Sequence, residues 1–244
     1  MIVRIFASTV FVFVGFVAAG GARAQDFDIA GHHLVIEPME GYCPVGHNDP
    51  ADKSIYAMVD EAARGVLRAL SVQGDCAALD AFRKDRSRQT DILPALVFQL
   101  GLLEGEEKAL PMTRQKFLEI MDAALQSQHS DEIWTLAKQS EQAALTRLQA
   151  KTRAALAEMT PPDMAVLGML DHDELGVYIG FVQAVDEGGK PNVTAGVGAT
   201  TMVNGLPLTV TRTEHYASAE QFRSMTAELK RVLRELITRN EGAI

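Results

Sequence analysis

Thiolate, imidazole and carboxylate are the side chains that hold transition metals and activate nucleophiles. The chain gathers them in GYCPVGHND, residues 41–49, just after a His32-His33 pair. His32, His33, Cys43, His47 and Asp49 together would suit zinc or copper. Two features favour a plainer reading. The two histidines are neighbours at the start of a strand-like run, so their side chains face opposite ways and do not easily meet one ion. Asp49, Pro50 and Asp52 have the order of a helix start: an N-cap, a proline at the first helical position and an acid in the first turn. The only cysteines are Cys43 and Cys76. In an oxidising compartment such a pair is most simply a disulfide, and a loop of this length contributes about 3–4 kcal/mol in the chain-entropy account.

Three other stretches carry chemistry-bearing residues. DHDE, residues 171–174, offers Asp171, His172 and Asp173 as oxygen and nitrogen donors, but it lacks the spacing and glycine turn of an EF-hand and reads as a solvated turn before a strand. Glu214 and His215 could form half of an acid–base pair, except that adjacent strand residues point to opposite faces, which favours a polar rim. GVGAT, residues 196–200, has neither the Lys-Ser/Thr of a phosphate loop nor a strand-to-helix setting, so its glycines more simply permit close approach or bending. Asn192-Val193-Thr194 has the form of a glycosylation acceptor, yet Pro191-Asn192 is adequately explained as a turn. No Gly-x-Ser-x-Gly, His-Glu-x-x-His or lysine-serine signature occurs. The expectation is therefore no cofactor and no metal. Were a metal present, His33, His47, Asp171, His172 and Asp173 are its candidate ligands, and His215 with Glu214 the candidate polar site.

Compartment decides between these readings. The chain opens with Arg4, an apolar run from Ile5 to about Ala19, a Gly-Gly break and Ala22-Arg23-Ala24. That order predicts a secretory signal peptide over residues 1–24, cut after Ala24, and a mature chain with no stable membrane insertion in the periplasm or outside the cell. The formal charge of −9 makes nucleic acid and anionic lipid poor partners. Residues 25–244 are long enough for one sizeable domain.

The positioning elements follow from periodicity. HLVIEPMEGYCPV reads as an interrupted strand, Pro50 to about Leu70 as an amphipathic helix, LSVQGDC as a short strand and CAALDAFRKDR as a brief helix. ILPALVFQLGLL, residues 92–103, reads as a buried strand whose Pro94 makes its first half an edge or bulge. Residues 113–126 and about 130–159 read as helices of an insert, the second with a thin apolar stripe, and Trp134 as a core candidate. Three strand-like runs close the sequence: LGVYIGFVQAV, VTAGVGATTMV and LPLTVTRTEHY, the last two joined by Asn204-Gly205, a strong hairpin signal. A two-residue turn there pairs Val203 with Leu206, Thr201 with Leu208, Ala199 with Val210 and Val193 with Tyr216. Val193, Ala195, Val197, Leu208 and Val210 then share one face; Thr194, Gly196, Gly198, Thr200, Thr209, Thr211 and Thr213 share the other, which is small, polar and flat. The final helix is expected to be capped by Ser218, with Gln221 at the capping-box position and an apolar stripe running from Phe222 to Leu236. The fold class expected is α+β: an antiparallel sheet with a C-terminal three-stranded meander, packed by amphipathic helices in α/β/α layers, with a helical insert at about 113–160.

This order of elements, with the strand leading into EGYC and the closing meander and long helix, resembles PsbP-like lumenal and periplasmic proteins over residues 34–103 and 171–239. The resemblance implies an accessory protein that docks on other envelope components, commonly without catalysis, and it carries over no functional residue. The functional expectation is a non-catalytic accessory or protein-interaction module of a bacterial cell envelope. The alternative is an envelope enzyme or small-ligand or metal-binding protein, with a site between the sheet and the helical insert that uses His172, His215 or neighbouring acids.

Overall fold

The computed structural model describes residues 24–46, 50–62, 65–85, 92–128, 141–159, 164–187 and 190–242. The expected signal peptide up to Arg23, together with His47, Asp49 and Trp134, lies outside the described residues. The class is α+β.

Seven strands form an open antiparallel sheet in the order β3-β4-β5-β9-β8-β7-β6. They are β3 (Tyr42–Pro44), β4 (Leu67–Asp75), β5 (Ala95–Gly101), β6 (Met164–His172), β7 (Val177–Glu187), β8 (Lys190–Val203) and β9 (Leu206–His215). Strands β1 (Gln25–Ile29) and β2 (His32–Ile36) make a separate hairpin. The β8–β9 turn has Asn204 at φ 50° and Gly205 at φ 77°, and the pairs Val203–Leu206, Thr201–Leu208 and Ala199–Val210 are in the expected register. The amide of Tyr216 donates to the Val193 carbonyl, which continues that register one step past β9.

Helices cover both faces of the sheet. On the first face lie α5 (Gln221–Glu241), α4 (Glu141–Glu158) and the β1–β2 hairpin; Phe222, Leu229, Leu233, Leu145, Ile29 and Leu34 pack with Leu96, Phe98, Val182, Val197 and Val210. The second face has two smaller cores. Helices α1 (Pro50–Ala62) and α2 (Cys76–Lys84) pack Ile55, Tyr56, Leu79 and Phe82 on Ala69, Val72 and Ala95. Helix α3 (Arg114–Gln128) packs Phe117 and Leu118 on Met169, Val177 and Met202.

Four local expectations change. Helix α1 ends at Ala62 rather than near Leu70, because Gly65 adopts φ +78° and the following residues pair with β5. Val66, which helical spacing placed on the apolar stripe, is 66% exposed, while Leu70 is buried from β4. Strand β6 was not anticipated: register shifts at Val166/Gly168 and Met169/Asp171 break the period-two alternation by which a strand is recognised. Strand β1 was also missed, since QDFDI carries two aspartates. Pro94 precedes β5 instead of lying within it, and β5 is an interior strand. At the edge, β6 leaves Met164 and Val166 exposed, but its bulges and the Lys151 ammonium, which donates to the Leu167 carbonyl, interrupt the edge as a pairing template.

Candidate functional site

Cys43 on β3 and Cys76 at the start of α2 form a disulfide with Cα atoms 4.8 Å apart. GYCPVGHND is thus, over its described part, a strand end and a disulfide anchor. Next to it the Asp52 carboxylate is wholly buried and accepts from Arg83 Nε at 3.1 Å and from the Gly46 amide at 2.6 Å. Arg83 also donates to the Pro44 carbonyl, so this ion pair joins α1, α2 and the end of β3.

The remaining sequence-predicted residues are dispersed. His33 lies exposed on the hairpin beside Asp28 at 3.2 Å and Asp26 at 3.6 Å. His172 faces Asp122 of α3 at 3.5 Å, and the other oxygen of Asp122 is buried without a hydrogen-bond partner. Asp171 and Asp173 do not form a solvated turn. Lys230 of α5 binds both, at 2.7 and 3.0 Å, and Asp173 Oδ1 accepts from the amides of Leu175 and Gly176 and from the Tyr178 hydroxyl. Burial, reinforced by Asp173, pushes the Tyr178 phenol well above its ordinary range. Burial lowers the Lys230 ammonium pKa, but the hydrogen bonds to Asp171 and Asp173 outweigh it and hold the group above its usual value.

Glu214 and His215 separate to opposite faces, as strand geometry requires. Glu214 joins a cluster on the first face around Arg212, which is only 6% exposed. Arg212 donates to Glu228 and Glu214, each at 2.9 Å, and the Tyr42 hydroxyl donates to the other oxygen of Glu228 at 3.0 Å. Burial raises the Tyr42 phenol pKa, Arg212 opposes that rise and Glu228 adds to it. Glu228 and Lys230, two positions apart, therefore anchor α5 at two places on the same face, Glu228 to β9 in the middle of the sheet and to Tyr42 of β3, and Lys230 to the β6–β7 end.

His215 lies on the second face, with its Nδ1 3.0 Å from Asn192 Nδ2. There it joins the threonine row. α1 and α2 cover the sheet at β4, and α3 covers it at β7 and β8. Between them Thr209, Thr211, Thr213 and Gly198 are only partly buried. Thr200 and Thr209 share a hydroxyl contact at 3.3 Å, and Thr194 donates to the Gln183 carbonyl. Phe181 leans along this floor: a Cβ on Gly196 would lie 2.1 Å from its Cζ, whereas a Cβ on Gly198 would meet only Thr211 Oγ1, at 3.9 Å. Among the described residues the result is an uncharged trough floored by hydroxyls, one aromatic ring and bare backbone.

The trough can bind by hydrogen bonding and apolar contact. Among the described residues no group of three or more His, Cys, Asp or Glu side chains could hold a metal ion. An open recess of about 500 Å³ lies at the β4 side of the sheet, lined by Asp60, Glu61, Arg68, Leu102 and Glu107 among others, away from His172 and His215. Among the described residues no helix is long and apolar enough to cross a membrane. Sequence reasoning missed Arg212, Glu228, Lys230, Asp122 and Phe181. Arg212 did carry a signal, since alternation puts it in line with Leu206, Leu208 and Val210. Neither a known protein family nor any curated protein matches the chain.

Proposed function

We propose that this chain is an exported accessory protein of the cell envelope, non-catalytic, that docks on another envelope protein through the threonine trough of its second face. The observation that carries the reading is how the charged groups are used. Arg212, Glu214, Glu228, Lys230, Asp171, Asp173, Asp52 and Arg83 bind one another as ties between elements. The partly exposed floor that remains offers contact chemistry. The Cys43–Cys76 disulfide suits an oxidising compartment, and the first strand among the described residues begins at Gln25, the residue after the expected cut.

The test is a photo-crosslinking side chain placed at Thr211 in the exported protein, with a control at Glu235 on the opposite helix layer. Capture of one envelope protein in stoichiometric amount from Thr211 alone, abolished by Gly198→Leu, is expected. No capture, equal capture from Glu235, or capture indifferent to Gly198→Leu would refute docking at this face.

A further inference from the structure

We infer that the mature chain begins with pyroglutamate, formed from Gln25 once the bond after Ala24 is cut. The inference rests on the export reading above. Gln25 opens β1 and forms the terminal rung of the hairpin, opposite Ile36. The hairpin is held farther along, by Ile29 and Leu34 in the core and by Asn240, whose side chain bonds both the amide and the carbonyl of Val35. Its last rung can therefore open locally without disturbing those contacts.

The Gln25 side chain is only half satisfied where it sits, its amide bonding Tyr56 of α1. Its Oε1 is buried and has no hydrogen-bond partner. A native structure pays for such an acceptor by desolvation, so withdrawal of the carboxamide from the interior gives up only its bond to Tyr56. While Ala24 is attached, the Gln25 nitrogen is an amide and unreactive. After the cut it is an amine held in the same residue as the carboxamide, an arrangement that favours intramolecular attack. The amine lone pair attacks Cδ, a C–N bond forms, the Cδ–Nε2 bond breaks, and Nε2 leaves as ammonia with the proton given up by the amine. Nothing is oxidised or reduced, and no co-reactant is needed. The products are ammonia and a chain that begins with a neutral lactam and carries one positive charge fewer.

The test follows the exported, folded protein over time at neutral pH beside a synthetic peptide of sequence Gln25–Ile29, with the N-terminal residue located by fragmentation mass spectrometry. The expected result is loss of one ammonia confined to residue 25, over the time in which the peptide closes, and no such loss in Gln25→Ser. A protein that keeps an open Gln25 after the peptide has closed overturns the inference and leaves export intact. A first residue other than Gln25, or a chain that retains residues 1–24, overturns the inference by refuting the cut after Ala24, and a chain recovered only from the cytoplasm refutes export itself.

Discussion

Gly196 and Phe181 offer a direct test of how the trough is built. They are cross-strand neighbours on β8 and β7. A methyl group at Gly196 would lie 2.1, 2.5 and 2.6 Å from three ring carbons of Phe181, against an ordinary carbon–carbon contact of about 3.5–4.0 Å. The Gly196 backbone is not in the left-handed region, so alanine brings no backbone strain there, and the ring must give way by more than about 1 Å. Such overpacking costs about 1–3 kcal/mol. With Phe181→Ala already in place the methyl group meets no ring, and the same change should be neutral or stabilise by about 0.5–1 kcal/mol through the lower chain entropy of alanine. The assay is a double-mutant cycle by urea unfolding with the disulfide intact. Gly196→Ala costs that agree within about 0.5 kcal/mol in the two backgrounds would refute the account, because independent sites add to about that precision.

Two further outcomes follow from the ionic ties. Arg212→Met leaves Glu228 and Glu214 without their shared cation and should cost about 3–5 kcal/mol in denaturant unfolding, whereas adding Glu228→Leu should recover part of that loss; a cost no larger than that of an exposed pair would refute the structural role. Tyr42 and Tyr178 both titrate higher in the folded chain than in the unfolded one, so their contribution is complete below about pH 10 and is lost as pH rises through their folded values. Thermal melts should show stability falling above about pH 10, and less steeply in the double variant Tyr42→Phe, Tyr178→Phe; equal slopes would refute the assignment.

Legibility from sequence tracked how local the determining physics is. The meander register was readable because a two-residue turn at Asn204-Gly205 fixes every pair that follows it. The disulfide needed only the cysteine count and a compartment. The α5 stripe was likewise readable, but the cap was not: Gln221 does fold back on the Ser218 amide, yet the N-cap is Glu220, with no side-chain cap bond, rather than Ser218. Strand β6 was not legible, because two bulges erase alternation and only pairing with β7 reveals it. Nor was the fate of DHDE, since nothing near residue 171 indicates that Lys230, far along the chain, will neutralise Asp171 and Asp173. Val66 was misplaced because a helical pattern ran into a strand whose partner, β5, lies about thirty residues on.

The position of β9 has a consequence for the order in which the molecule can form. β3, β4 and β5 make one half of the sheet and β6, β7 and β8 the other, and β9 is the strand between β5 and β8. It is also the last strand made, and α5, which follows it, supplies ties to both halves, from Glu228 to Tyr42 of β3 and from Lys230 to Asp171 of β6. Until residues 206–241 emerge, the halves share no ladder and the first face lacks its longest helix. A growing chain therefore holds two incomplete half-sheets and closes late, by long-range pairing of the kind that sets slow folding. Under the export proposed above, that delay would keep the polypeptide pliable until its far end has crossed the membrane.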